Sequence, residues 1–407
     1  MVGNGLQGSL LGVRAAQEGF GNNTTGLVMA AFFTGFLAGS LWTPNAVRRV
    51  GHIRVFAALA SFASISILVH ALIVEPVAWG VMRFLTGFCY AGIFVVAESW
   101  LNDRTGNEGR GQLLGIYMLT MFIGMGGGQI MLNVADPASS DLFIMVSAII
   151  SFSVLPLLLS ATPAPEIRAP HPVGLARLYR ASPLGTIGTF AAGIINGTVF
   201  GMGAVYAHAS GLDVRQISLF MSALIIGAAL LQWPVGKLSD HFDRRLVITA
   251  VTLLAAAAAL IAEQAAGTHW PFLLAVACSG GLSMSVHPLS IAYTNDYLSP
   301  EEMVSASSAL VLVLGVGSVI GPLVTGILLG SVGPSGFFWW IAAIHFALAL
   351  FAVWRMTRRA ALPNEEQGTY TLVPVQSVPF AEAIAQEEVE AEAESADADT
   401  TSDKPRH

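Results

Sequence analysis

Twelve apolar runs, each close to the length needed to cross a bilayer, limit this chain more than any other feature. They fall at roughly 4–20, 24–44, 55–74, 77–100, 111–134, 141–161, 184–209, 216–236, 246–263, 271–295, 303–330 and 337–357. A helix that spans the hydrocarbon core needs about 20 such residues. The 407-residue chain is 54% hydrophobic and only 11% charged, with a mean hydropathy of +0.66. Water-soluble domains carry about 25% charged residues, so this chain lacks the polar side chains to coat a water-facing exterior. A transmembrane barrel would need short alternating strands, whereas stretches such as LVITAVTLLAAAAALIA do not alternate. The expected fold class is therefore an all-α membrane protein with twelve transmembrane helices.

The first run differs from the others. MVGNGLQGSLLGVRAAQEGF is interrupted by Asn4, Gln7, Arg14, Gln17 and Glu18. Its apolar part is too short to cross about 30 Å of hydrocarbon, and we expect a first helix that is truncated here. Cys89 and Cys278 both lie inside apolar runs and read as small hydrophobes. They offer no metal spacing and no disulfide framework, and no cofactor is expected.

Charge placement orients the chain. Loops with excess Lys and Arg stay in the cytoplasm. With both termini inside, Arg48, Arg49, Arg54, Arg104, Arg110, Arg168, Arg177, Arg180, Lys237, Arg244, Arg245, Arg355, Arg358, Arg359, Lys404 and Arg406 are cytoplasmic, which is 16 of the 19 basic residues. Arg14 and Arg215 fall outside, and Arg83 lies within a span. The formal charge of −7 comes from nine acidic residues between Glu382 and Asp403, in a tail expected to be disordered.

The chain also repeats itself. At an offset of 192, Gly19 meets Gly211, Met29 meets Met221 and Gly35 meets Gly227. At 193, Gly87 meets Gly280, Asp103 meets Asp296, Gly124 meets Gly317 and Gly128 meets Gly321. Two six-helix halves in parallel repeat are one transporter plan. The expected organisation is an N-terminal half at 1–161, a proline-rich basic linker at 162–183, a C-terminal half at 184–357 and a cytoplasmic acidic tail at 358–407.

Between the eighth and ninth runs stands GKLSDHFDRR, Gly236 to Arg245. It resembles the loop signature of the major facilitator superfamily, a Gly-x-Leu-x-Asp-x-x-(Gly/Asp)-Arg-(Arg/Lys) pattern found between the second and third helices of each half. The first-half copy, PNAVRRVGHIR, keeps Gly51 but has Pro44 for the first Gly and Arg48 for the Asp. RFLTG, Arg83 to Gly87, looks like the arginine signature of the fourth helix. GVGSVIGP at Gly315 to Pro322 looks like the glycine-rich antiporter motif, displaced to the eleventh span. AESWLNDRTGNEGRGQLLGIYM and HPLSIAYTNDYLSPE look most like the YcaD-like branch, whose members carry more chain before GNGLQG.

The resemblance implies that such loops lock the cytoplasmic helix ends in one conformation. Gly236, Asp240, Asp243, Arg244, Arg245, Arg48, Gly51, Glu98, Asp103 and Asp296 are the gate candidates. Asp240 is at helical spacing from Arg244, and an ion pair present in one state biases a two-state equilibrium. The competing reading is a solvated loop that only fixes topology. Glu98, at the inner end of the fourth span, is expected to pair with Arg48, Arg49, Arg104 or Arg110.

Arg83 is the sharpest single candidate, because a charge inside a span costs about 2.5–3.5 kcal/mol on insertion scales and normally faces a bundle interior or wet cavity. It could bind an anionic substrate or couple proton movement; a structural arginine is the alternative. His287, followed by Pro288, combines a side chain that titrates near neutral pH with a potential helix break. Asn196, Gln129 and Tyr293 are further candidates for a cavity lining, although interhelical hydrogen bonds use the same residue types.

No GxxxxGK[ST] loop, HExxH or GxSxG occurs, which argues against direct ATP use and against an enzyme. The expectation is a secondary active transporter, monomeric, in the bacterial inner membrane. It would move a small organic solute by alternating access, by proton-coupled export, with no nucleic-acid partner. A uniporter or importer, and a sensor that does not transport, are the alternatives.

Overall fold

The computed structural model describes residues 1–104, 110–159 and 174–358, together with 363, 367, 368 and 370. Most of the expected linker and nearly all of the acidic tail lie outside these residues.

Thirteen helices and no strands make up the described chain. In order they are α1 Val2–Gln17, α2 Asn22–Val50, α3 His52–Leu72, α4 Pro76–Arg104, α5 Arg110–Met131, α6 Asp141–Leu158, α7 Leu175–Ala181, α8 Pro183–Ala209, α9 Val214–His241, α10 Arg244–Gln264, α11 Trp270–Asn295, α12 Pro300–Ser331 and α13 Ser335–Met356. Ten of them are long and apolar enough to cross a membrane. The 22 residues of α5 reach about 33 Å at 1.5 Å per residue, whereas the 16 of α1 reach only about 24 Å. The short helix α7 was not expected within the linker; it seats Leu178 as a buried anchor.

Polar residues set the helix ends. Asp213 and Gln216 form a reciprocal capping box at the start of α9, as Ser299 and Glu302 do for α12. Gly19 and Gly211, matched in the sequence repeat, both turn the chain at positive φ, +74° and +79°. A side chain there would be strained, so glycine is what lets α1 and α8 stop and reverse.

Several helices run further than the apolar pattern. α2 continues through Pro44 to Val50, and α9 continues through Pro234 to His241. The stretch GKLSDHFDRR is therefore mostly helix, and only Phe242 and Asp243 separate α9 from α10. Apolarity marks where a helix leaves water, not where its hydrogen-bonded ladder ends. The break expected at Pro288 is likewise absent: α11 is continuous from Trp270 to Asn295. Proline is tolerated where neighbouring helices compensate the lost bond.

Partner choice repeats along the chain. α2 packs on α4 as α9 packs on α11, α1 on α5 as α8 on α12, α3 on α4 as α10 on α11, and α3 on α6 as α10 on α13. The two groups meet through α2 with α12, α5 with α9, and α1 with α8. In lipid there is no hydrophobic drive between helices, so close backbone approach through small residues does the work. The repeated glycines provide it. Gly35 faces the Phe84 carbonyl and Gly87 the Phe32 carbonyl in the α2–α4 crossing; Gly227 faces Ala277 and Gly280 faces Leu224 in the α9–α11 crossing. Gly128 approaches Leu6 and Gly321 approaches Thr198 in the same way.

Candidate functional site

Where the two helix groups meet, two small cavities share a wall made of Phe32 and Phe33 from α2. The first, about 20 Å³, is lined by Asn4 and Ser9 of α1, Arg83 of α4, Gln129 of α5, Phe200 of α8 and Met221 of α9. The second, about 30 Å³, runs past Phe36 and Ser40 to Asn196 of α8 and Leu314 and Ser318 of α12. Each has room for about one water.

Arg83 is 3% exposed. Its guanidinium carbon lies 4.4 Å from the centroid of the Phe32 ring, a cation–π contact strengthened by burial. The ring cannot satisfy the charge by itself. No ion pair among the described residues involves Arg83, and its buried Nε has no hydrogen-bond acceptor. Glu98, on the same helix, is fifteen residues and about 22 Å away. Gln129 is already committed. Its Oε1 accepts from Ser9 at 2.5 Å and its Nε2 donates to the Gly5 carbonyl at 2.8 Å. The Ser218 hydroxyl of α9 donates to its backbone carbonyl at 2.7 Å, which ties the helix groups together. Gln129 thus holds the wall of the cavity, while Arg83 leaves donor capacity unused.

The other cavity candidates are dispersed. Asn196 lines the second cavity. His287 is buried in α11 and lines neither cavity. Tyr293 is two turns beyond His287, 5.1 Å from the Tyr297 ring, near the chain reversal around Asp296. It belongs to a cluster with Leu184 and Val247 rather than to the central space.

The gate candidates of α9–α11 do come together. Arg244 is buried and bonds Asp296 at 2.5 Å, the Ala292 carbonyl at 3.0 Å and, at 3.4 Å, Asp240. Arg245 pairs with Asp243 at 2.7 Å, while Asp243 also caps α10 through the Arg245 amide. Burial raises the Asp243 carboxyl, but hydrogen bonds and the charge from Arg245 outweigh it and hold the group below its ordinary value. Burial pushes Asp296 up from its ordinary value against the opposing pull of Arg244. Two described residues beyond α13, Gly368 and Tyr370, touch this cluster. The Gly368 amide donates to Asp296 at 3.0 Å, its carbonyl accepts from Arg244, and the Tyr370 amide donates to Asp240 at 2.8 Å. The Tyr370 ring lies over Gly236, where a Cβ would collide with it.

The first-copy candidates fall partly outside the described residues. Arg48 is exposed and bonds Asn45 of its own helix. Gly51, at φ +89°, makes the turn from α2 to α3. Glu98 is buried and accepts a hydrogen bond from Tyr117 at 2.8 Å; the side chains of Arg104 and Arg110, two of its expected partners, lie outside the described residues. The Asp103 side chain lies outside the described residues.

Comparison with known proteins gives this architecture its place. The family model of the Major Facilitator Superfamily matches residues 1–213 and 185–387. The chain belongs to that superfamily. The relative named uncharacterized MFS-type transporter YcaD, from Escherichia fergusonii, is 27% identical over 340 residues, covering 83% of this chain and 88% of the relative. Its namesake from Salmonella arizonae is 27% identical over 328 residues, covering 80% and 85%. These relatives put the chain in the YcaD-like branch. Among solved structures, the nucleoside transporter NupG superposes with a TM-score of 0.72 at 15% identity, covering 88% of this chain and 97% of the other. An inward-facing, unoccupied bacterial homolog of the human lysosomal transporter Spinster gives 0.66 at 14% identity, covering 95% of each chain. At such identities the likeness is one of fold. The chain is a multi-pass membrane transporter and not an enzyme.

Reading the residues alone missed the aromatic wall and the polar face of α1. Phe32, Phe33 and Phe36 look like any apolar span residues in sequence. Asn4 and Gln7, one helical turn apart, count against a span when scored by hydropathy; both are buried in the structure. Their spacing was the available signal that this helix faces protein rather than lipid.

Proposed function

We propose that this transporter is a secondary active carrier working by alternating access, with α1–α6 and α8–α13 as two six-helix halves that rock about the central cavities. The observation that carries the reading is the buried Arg83, without an ion-pair partner among the described residues, in a cavity with walls from both helix groups. A charge kept there at cost marks a pathway, and in this reading separation of the groups widens the narrow space beside it for a solute. The repeated helix partners support the two-half division. Twelve spans with both termini in the cytoplasm of a bacterial inner membrane agree with the basic residues, 16 of 19 of which fall on one side.

Proton-coupled export of a small organic solute by a monomer is the direction we propose, supported by the resemblance of RFLTG to the arginine signature of the fourth helix and of GVGSVIGP to the glycine-rich antiporter motif. Arg83 is the proposed coupling and binding residue, while the Asp240–Arg244–Asp296 cluster, on the cytoplasmic side in this reading, acts as a latch present in one conformation. The test is a growth-tolerance panel of drugs, organic acids and amino-acid analogues, comparing the wild-type chain with Arg83→Gln at equal membrane abundance. Inverted vesicles then report solute uptake with and without a proton gradient. Protection lost in the variant, together with gradient-dependent uptake, is expected. Gradient-independent flux would leave a uniporter, and no flux of any compound would end the transporter reading in favour of a sensor.

A further inference from the structure

We infer that the solute is a small monoanion with a flat apolar body, an aromatic monocarboxylate in chemical class, whose carboxylate binds Arg83 and whose ring packs on the phenylalanine wall. This rests on the transporter reading and narrows it.

The charge argument comes first. Among the described residues, Arg83 is the only ionisable one lining either cavity. Its Nε is buried without an acceptor, and no carboxylate pairs with it among the described residues. A guanidinium presents its donors as a planar fork that matches a carboxylate bidentately. A monoanion would complete this group. A cation would be repelled, and a neutral solute would leave the charge buried and uncompensated. A dianion would bring a second charge into a cavity with no further cation to meet it, which is unfavourable at low dielectric. Gln129 does not compete for the anion, because both ends of its amide are bonded within the wall.

Shape gives the rest of the class. Phe32 lies under Arg83 and, with Phe33, divides the two cavities; their rings meet edge to face at 5.4 Å. Phe36 continues the surface at 6.3 Å from Phe32. A flat apolar body beside these rings gains offset or edge-to-face contacts worth about 0.5–1.5 kcal/mol beyond its buried area. Asn196 and Ser318, at the far side of the wall, offer room for a single neutral polar substituent. Movement of either ring would join the two cavities into one space, with the arginine at one end and these side chains at the other.

The full chain, purified in detergent, is tested by calorimetry and thermal shift with benzoate, phenylacetate and indole-3-acetate. Benzamide, benzylamine, acetate and isophthalate are the neutral, cationic, non-aromatic and dianionic controls. At least one aromatic monocarboxylate is expected to bind ten-fold or more tightly than its amide, amine, dianionic and acetate counterparts. Arg83→Gln should erase the preference of carboxylate over amide, and Phe36→Ala should reduce the preference of benzoate over acetate while keeping that of benzoate over benzamide. The wild-type panel decides the matter even if a variant fails to fold: no carboxylate binding, or equal binding of the amide, overturns the inference. Flux of a neutral or cationic solute without carboxylate binding would overturn the substrate class and leave the transporter reading standing. Carboxylate binding without flux would do the reverse.

Discussion

Replacing Gly280 by alanine would put a methyl carbon 2.7 Å from the Leu224 carbonyl oxygen and 2.8 Å from the Leu224 Cα. Ordinary contact begins at 3.4 Å, so α9 and α11 would have to part by about 0.7 Å along their crossing. Both obstacles are backbone and cannot rotate away. A gap of 0.5–1 Å forfeits roughly a quarter to a half of each dispersion contact it opens, and forced overpacking costs about 1–3 kcal/mol. Alanine also favours a helix by about 1 kcal/mol over glycine, which would mask part of the loss. Gly80 is the internal control: it lies within α4 and a Cβ there meets nothing within 4 Å. The difference between Gly280→Ala and Gly80→Ala therefore isolates the packing cost, expected at about 1–3 kcal/mol. Gly87→Ala, the repeat-related change in the α2–α4 crossing, should cost a similar amount and also displace Phe32, whose carbonyl it strikes. It should thus disturb the Arg83 site while Gly280→Ala leaves that site alone. Unfolding in SDS, followed through reaction of the fully buried Cys89 thiol with a fluorescent maleimide, gives the stability differences. Equal stabilities for the Gly280 and Gly80 variants would refute the argument that carbonyl-to-glycine contact sets this crossing.

Arg244→Met should cost about 3–5 kcal/mol, because it strands buried Asp296, and should speed proteolysis beyond Tyr370 by cutting the Gly368 bond; unchanged cleavage would dissociate the segment from the cluster. Adding Asp296→Asn to Arg244→Met should recover part of the stability, measured as a double-mutant cycle in SDS. Asp243→Ala should lose the α10 cap and about 0.5–2 kcal/mol, whereas Asp243→Asn keeps a capping side chain. The carboxyl of Asp243 is held below its ordinary value in the fold, so its contribution is complete above the unfolded value of about 3.9 and fades as pH falls through the lower folded value. The Asn variant should lose that acid dependence in unfolding measured from pH 6 to 3. Gln129→Leu leaves Ser9 and the Gly5 carbonyl without their partner, and should destabilise by about 1–3 kcal/mol per stranded group; a thermal midpoint equal to wild type would show that water replaces both bonds.

Much of the fold was legible because apolar length and turn chemistry are local properties. The membrane segments and the glycine pairs at constant offset could be read along the chain. The pairs Gly35 with Gly227 and Gly87 with Gly280 then proved to sit at corresponding helix crossings. Helix ends were harder to place: α2 and α9 extend past their apolar cores because backbone hydrogen bonding continues in polar sequence. The site was legible at Arg83, Gln129 and Asn196, where a charge or an amide stands out against apolar neighbours. Phe32 does not stand out, and the hydrogen bond from Tyr117 to Glu98 joins residues nineteen apart in sequence, a contact that only folding brings about.

The sequence by itself determined that this chain lives in a membrane, where its helices lie along the chain, and which residue carries an intramembrane charge. Only the tertiary structure decided which face of each helix meets protein. In lipid an outward leucine and an inward one are equally apolar, so hydropathy does not encode the difference. The same holds for the contact of Gly368 and Tyr370 with Asp240, Arg244 and Asp296: backbone amides and carbonyls make it, every residue carries them, and nothing but folding selects which ones meet.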